Sequence, residues 1–343
     1  MEKIFIYILI SAYICNAGML VRSDFTKSTN IYKDSNIVLT SGKISLDVKK
    51  NDIFKLFGDT LTAIPRSYYP AVIADPDTFT FFFADTVSKG IFKSVVRLTE
   101  NGHLPVTNPT RVCSLYTEKG ACIHAGKGEN GILLSYIQRL NGISYPSLHV
   151  ANGRVTKIID SSKVKKFILS SQCHLQNDTF LVVNSKDNDT IMLRKIYSNG
   201  NTIQVAGSKV VCIDHDNYLT TCAVAWDKQG VIVVTWVGID GSTHQKNVYY
   251  KAFNRDLTEI QTGTLIENVG DQNIYYYDDV AAITFKDGIV AILYWDATGI
   301  GMNTLRYNMG AMNIVSRRLI SKSGIKGISA VSNGKMLYFA CKG

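Results

Sequence analysis

Thr221-Cys222-Ala223-Val224-Ala225-Trp226, then Asp227-Lys228-Gln229-Gly230, then Val231-Ile232-Val233-Val234-Thr235-Trp236 is the stretch on which the fold turns. A run of small and apolar residues, a polar turn closed by glycine, and a second, bulkier apolar run describe two strands joined by a hairpin. Glycine and asparagine supply the positive φ that such turns need. The same plan returns in residues 280–285, Lys286-Asp287-Gly288 and residues 289–295, and again in residues 328–331, Ser332-Asn333-Gly334 and residues 335–339. Earlier copies are more worn: residues 71–74 precede 79–84, residues 122–125 precede 131–136, and residues 173–175 precede 179–183. With Ala71, Cys122, Cys173, Cys222, Ala281 and Ser329 as anchors, successive spacings are 51, 51, 49, 59 and 48. Self-similarity at such a period marks a repeat architecture.

A third strand-like run follows in most copies, at residues 92–98, 191–197, 247–253 and 302–307. A fourth fits residues 155–159, 202–205, 263–267 and 316–320. Four short antiparallel strands per repeat is the unit of a propeller blade. The first strand of each unit is rich in Ala, Ser, Cys and Gly, as a narrow axis requires, and the second carries the bulk. The expected fold is therefore all-β, a six-bladed β-propeller of four-stranded antiparallel blades occupying residues 18–343 as one domain. The last repeat reaches Gly343 only four residues past Phe339. Residues 37–40 and 43–48, around Ser41-Gly42, are expected to complete it, closing the ring by pairing N-terminal strands with the C-terminal repeat and covering open edges.

The chain starts with Met1, Glu2 and Lys3, an apolar run over residues 4–14, and then Cys15-Asn16-Ala17-Gly18. Charged start, short apolar core and small residues are what a signal peptidase reads, so residues 1–17 are expected to be a signal peptide and the protein to be secreted and extracellular. The run is too short to span hydrocarbon, and no later segment offers an uninterrupted apolar 18-mer, so no transmembrane segment is expected. A hydrophobic content of 46% with 6 prolines excludes a disordered chain. The net charge of +9 attracts anionic partners such as sulfated or sialylated glycans. Nucleic acid is not expected, because the lysines are scattered and secretion removes the usual targets.

Beyond Cys15 there remain Cys113, Cys122, Cys173, Cys212, Cys222 and Cys341, an even number in an oxidising route, for which disulfides are expected. Cys113 with Cys122 and Cys212 with Cys222 would each close a loop of about ten residues, worth roughly 2–3 kcal/mol. Cys173 with Cys341 is left by elimination. Sequons at Asn177 and Asn188 mark glycosylation sites.

The repeat resembles the six-bladed propeller class, including the sialidase-like and other secreted blade-repeat proteins, over nearly all of residues 18–343. The sialidase-like members imply repeated Ser-x-Asp-x-Gly-x-x-Trp turns. Asp240-Gly241-Ser242 and Asp296-Ala297-Thr298-Gly299 match only fragments of that motif, so inherited glycosidase activity is not implied.

Glycoside hydrolysis needs two positioned carboxyl groups. Asp85 and Asp296 follow second strands at comparable places, where aspartate equally serves as a turn former. The bases Arg97, Arg194, Lys251 and Arg306 recur on third strands and read as repeated solvated charge. Trp226, Trp236, Tyr294 and Trp295 read as packing between blades. Tyr275-Tyr276-Tyr277-Asp278-Asp279 stands apart: three consecutive tyrosines cannot all be buried by a period-two strand, and exposed tyrosine makes contacts well. Residues Tyr275, Tyr276, Tyr277, Asp278 and Asp279 form the expected binding segment. His103, His124, His149, His174, His215 and His244 lack ligand spacing, and no calcium loop or nucleotide fingerprint occurs, so neither metal nor cofactor is expected. The leading expectation is a monomeric, secreted, non-catalytic recognition protein that binds a protein or anionic glycan through one propeller face. A glycoside hydrolase or lyase with an axial site, and a structural coat component, are the alternatives.

Overall fold

The computed structural model describes residues 18–23, 32–33, 36–38, 47–49, 71–74, 78–85, 90–97, 110–113, 123–141, 143–151, 155–160, 171–186, 190–213, 218–239, 245–266, 280–286, 288–296, 299–322, 326–332 and 337–342. All regular structure among them is strand. After β1 (Gly18–Ser23) come the short β2 (Tyr32–Lys33), β3 (Asn36–Val38) and β4 (Asp47–Lys49). The first four-stranded sheet is β5 (Ala71–Ala74), β6 (Thr78–Asp85), β7 (Gly90–Arg97) and β8 (Thr110–Cys113). The second is β9 (Ile123–Lys127), β10 (Ile132–Leu140), β11 (Ile143–Val150) and β12 (Thr156–Ile158). The third is β13 (Ser171–Gln176), β14 (Thr179–Lys186), β15 (Thr190–Ser198) and β16 (Ile203–Ile213). The fourth is β17 (Tyr218–Trp226), β18 (Ile232–Ile239), β19 (Lys246–Phe253) and β20 (Glu259–Ile266). The fifth is β21 (Val280–Lys286), β22 (Ile289–Asp296), β23 (Gly299–Asn308) and β24 (Ala311–Lys322). A terminal sheet joins β25 (Lys326–Ser332) and β26 (Leu337–Lys342) to β1, in the order β1-β26-β25.

Each four-stranded sheet is an antiparallel meander in which chain order is spatial order. First strands neighbour one another in succession: β5 with β9, β9 with β13, β13 with β17, β17 with β21, β21 with β25, and β25 with β5. The second strands of the second, third and fourth sheets read as continuous apolar runs because both faces of these sheets are covered by neighbouring sheets. In β14, Phe180 and Val182 join Leu133, Leu148 and Val150 of the second sheet, while Leu181 and Val183 join Ile232, Val234 and Trp236 of the fourth. One residue of register separates the two sets, which is the period-two alternation of a strand. Fully burying each such side chain contributes about 1.5–3 kcal/mol. The fourth and fifth sheets meet through Ala223, Val233, Val237, Val248 and Tyr250 on one side and Val290, Ile292, Tyr294 and Leu305 on the other. Tyr294 lies flat over its cross-strand partner Gly301, where an added Cβ would come within 2.2 Å of the ring.

The N-terminal partner of the last repeat differs from the sequence expectation. Gly18–Ser23 pairs along β26, from Gly18 opposite Lys342 to Ser23 opposite Leu337. Residues 36–38 and 47–49 instead build the separate sheet β2-β3-β4. The runs over residues 37–48 were the better hairpin by composition, but the open edge of β26 takes a six-residue partner, and β3 offers three.

Candidate functional site

The meander sorts the connections between strands onto two ends. Hairpins from second to third strands, and passages from each outermost strand to the next innermost one, share the connection end. Turns between first and second strands, and between third and fourth, share the turn end.

The binding segment expected from sequence, Tyr275 to Asp279, falls outside the described residues. It is bracketed by Ile266, which ends the outermost strand of the fourth sheet, and Val280, which opens the innermost strand of the fifth. Both of those flanking strand ends stand at the connection end. Asp85 and Asp296 close β6 and β22 at that same end, opposite Gly90 and Gly299. They belong to the first and fifth sheets, between whose first strands β25 lies.

The third-strand bases do not form one set. Arg194 is buried rather than solvated: its Nη2 lies 2.6 Å from Asp160 Oδ2, and its Nη1 donates to Asn184 Oδ1. Burial lowers the pKa of this guanidinium, and the Asp160 charge opposes that shift. Its donors are committed to a seam between the second and third sheets, and its place is structural. Lys251 pairs with Glu259 at 3.1 Å, and Arg306 is exposed. The side chain of Arg97 lies outside the described residues.

Among the cysteines, Cys173, Cys212 and Cys222 pack in the seam between the third and fourth sheets, and Cys113 in the seam between the first and second. Cys341 stands on β26, and Cys122 just precedes β9, outside the described residues. Burial pushes the thiols of Cys173 and Cys222 up to about 12, which leaves little thiolate at neutral pH. Asn177 is exposed at the apex of a two-residue turn with φ 48°, and Asn188 lies outside the described residues. No group of three His, Cys, Asp or Glu able to hold a metal occurs among the described residues, and none of their helices is long and apolar enough to cross a membrane.

The turn end is where the described residues build a connected surface. Asp178 accepts from the Asn130 backbone N–H at 2.8 Å and from the Asn130 side-chain amide, linking the third sheet to the second. Glu129 N–H donates to the Asn177 carbonyl at 3.3 Å in the same place. Asp227, 1% exposed, accepts from the N–H groups of Gln229, Gly230 and Val231 at 2.7, 2.8 and 2.9 Å. The Asp227 carbonyl then receives Gly288 N–H from the fifth sheet at 2.9 Å. The acidic groups of these turns are thereby spent on backbone donors.

Side chains of opposite character are left facing out. Lys127, Lys228, Arg255 and Arg306 are exposed at this end, and Lys195 is half-buried beside them. Among the described residues the exposed acids at the same end are Glu129, Asp256 and Glu259, the last paired with Lys251. Hydrogen bonding from Thr258 holds the Asp256 carboxyl below its ordinary range, so it stays ionised but engaged with its own turn. Between the third and fourth sheets, the Arg255 guanidinium lies 5.4 Å from the centroid of Trp226 and donates to Gln176 Oε1 at 3.3 Å. Lys195 Nζ donates to the Arg255 carbonyl at 3.2 Å. Sequence reading placed Trp226 with the core aromatics. Trp236 and Tyr294 are indeed buried between sheets, but Trp226, the last residue of β17, is only partly covered. Arg255 was missed altogether; the signal was Asn254-Arg255-Asp256, a polar turn one sheet-width from an aromatic strand end.

No protein-family model and no curated protein matches the chain. Solved structures match by fold. The lectin of the fungus Aleuria aurantia, described as a six-bladed β-propeller with a fucose recognition mode, aligns at TM-score 0.51 and 11% identity, covering 80% of this chain and 87% of the lectin. A mutant of the same lectin in complex with Fucα1-6GlcNAc aligns at TM-score 0.50 and 12% identity, with the same coverage. At such identity the likeness is one of fold: this chain is all-β, made of antiparallel four-stranded sheets in a propeller-like arrangement.

Proposed function

We propose that this chain is a secreted, monomeric, non-catalytic recognition protein that binds an anionic glycan through the turn end of a six-bladed ring. The observation that carries the reading is the charge exposed at that end among the described residues: Lys127, Lys228, Arg255 and Arg306, with half-buried Lys195, stand against Glu129, Asp256 and Glu259, of which Glu259 is paired with Lys251, while Asp178 and Asp227 accept from backbone N–H groups. Such a field raises the local concentration of anionic ligands. The succession of first strands from β5 through β25 and back to β5 supports six sheets around one axis, with β1 sealing the edge of the last. The apolar leader at residues 4–14 supports secretion, and cleavage after Ala17 leaves β1 intact. The fold is also one that carries sugar recognition in the fucose-binding lectin, although fold does not dictate function.

A glycan array probed with the mature protein tests this reading. Binding to sialylated, uronic or sulfated glycans above a charge-matched control protein, persisting at about 150 mM salt where the Debye length is ~8 Å, is the expected result. Binding no stronger than the control, or abolished by that salt, refutes it.

A further inference from the structure

We propose that the seam between the third and fourth sheets at the turn end is a subsite for a carboxylated sugar, its ring stacked on Trp226 and its carboxylate held by Arg255. This rests on the anionic-glycan reading above and assigns it one place and one ligand class.

Recognition of a sugar acid needs an apolar plane for the ring's C–H face and a planar cationic fork for the carboxylate. Trp226 supplies the plane. It ends β17, rests against the apolar cluster between the two sheets, and keeps part of its indole uncovered. Arg255 supplies the fork. Its guanidinium has five N–H donors, of which one is used among the described residues, in a long bond to Gln176 of the neighbouring sheet.

The acids that would ordinarily neutralise Arg255 are otherwise engaged. Asp227 serves three backbone N–H groups, and Asp256 accepts from Thr258 N–H at 3.0 Å. No described carboxylate forms an ion pair with Arg255. Its cation rests on an indole instead, in the place where a ligand carboxylate would come.

The presentation is rigid. Leu257, at φ 68°, is buried in the same cluster and anchors the turn, while Asn254 closes it by accepting Thr258 N–H at 2.8 Å. Lys195 fixes the Arg255 backbone from the third sheet and adds a second positive charge. Gly230, at φ 128°, lies beside this guanidinium, where an added Cβ would make an ordinary contact 3.7 Å from Arg255 Nε. No other turn-end seam pairs an aromatic side chain with a guanidinium among the described residues.

The test titrates glucuronate, the methyl glycoside of N-acetylneuraminate, glucose 6-sulfate and glucose into the mature protein by ligand-observed NMR. It is repeated for Arg255→Gln, Trp226→Ala and Lys186→Gln, each checked for an unchanged circular-dichroism spectrum. The wild type is expected to bind at least one of the two carboxylated sugars and not glucose. Arg255→Gln, an exposed change that leaves the core alone, should weaken that binding at least tenfold, with Trp226→Ala doing the same. Lys186→Gln, at an exposed base that ends β14 at the connection end, should change it less than twofold. Full binding by Arg255→Gln, or preference for glucose 6-sulfate over both carboxylates, overturns the subsite. If the array finds anionic-glycan binders and the seam variants retain them, the subsite fails while the broader function stands. An array without binders refutes the function itself.

Discussion

Arg194 and Asp160 meet across two sheets at 2.6 Å with side chains only 7% and 9% exposed, so each compensates the other's charge out of water. Removing one partner of a buried pair leaves an uncompensated charge and costs about 3–5 kcal/mol, whereas replacing both by apolar groups often costs little. Arg194→Met and Asp160→Leu should each lower stability by that amount in urea denaturation. The double variant should recover most of it, and additive losses would contradict the pairing. The burial of Arg194 was not legible in the sequence, because its partner stands 34 residues away at the end of another sheet. A lysine or arginine on a third strand reads as solvated unless the seam opposite it is known. Asp227 was legible, since Asp-Lys-Gln-Gly is turn chemistry, and its carboxylate does close that turn.

At the scale of elements, hairpins and their periods were the strongest signal. The runs read as first and second strands around Gly230 and Gly288 pair in antiparallel register, Trp226 opposite Ile232 and Lys286 opposite Ile289. Those glycines carry φ of 128° and 73°. The failure came at the N-terminal edge. Gly18–Ser23 adjoins the apolar leader and lacks a hairpin partner of its own, so only the open edge of β26 reveals its role. Long-range pairing of this kind leaves no local trace. Deleting residues 18–23 should expose the β26 edge to intermolecular pairing. Light scattering coupled to gel filtration is expected to show concentration-dependent association and a lower melting temperature. A monomer that melts like the intact chain would contradict the assignment of β1.

For the whole molecule, repeat spacing conveyed the succession of antiparallel four-stranded sheets and left the working surface obscure. The widest interval, 59 residues between Cys222 and Ala281, contains both the tyrosine-rich passage and the Asn254–Thr258 turn. Composition drew attention to the first. The second is distinguished only when Gln176, Lys195, Trp226 and Arg255 converge from two sheets. The first lies outside the described residues, but the strand ends that flank it, Ile266 and Val280, stand at the end opposite Arg255, so a footprint separates the two. Hydrogen–deuterium exchange of the mature protein, with and without saturating sialyllactose, is the most direct measure of which end binds. The account predicts slower exchange in residues 174–178, 226–231 and 254–258, with residues 267–279 unchanged. Protection confined to residues 267–279, or none anywhere at a ligand concentration that saturates binding, would contradict it.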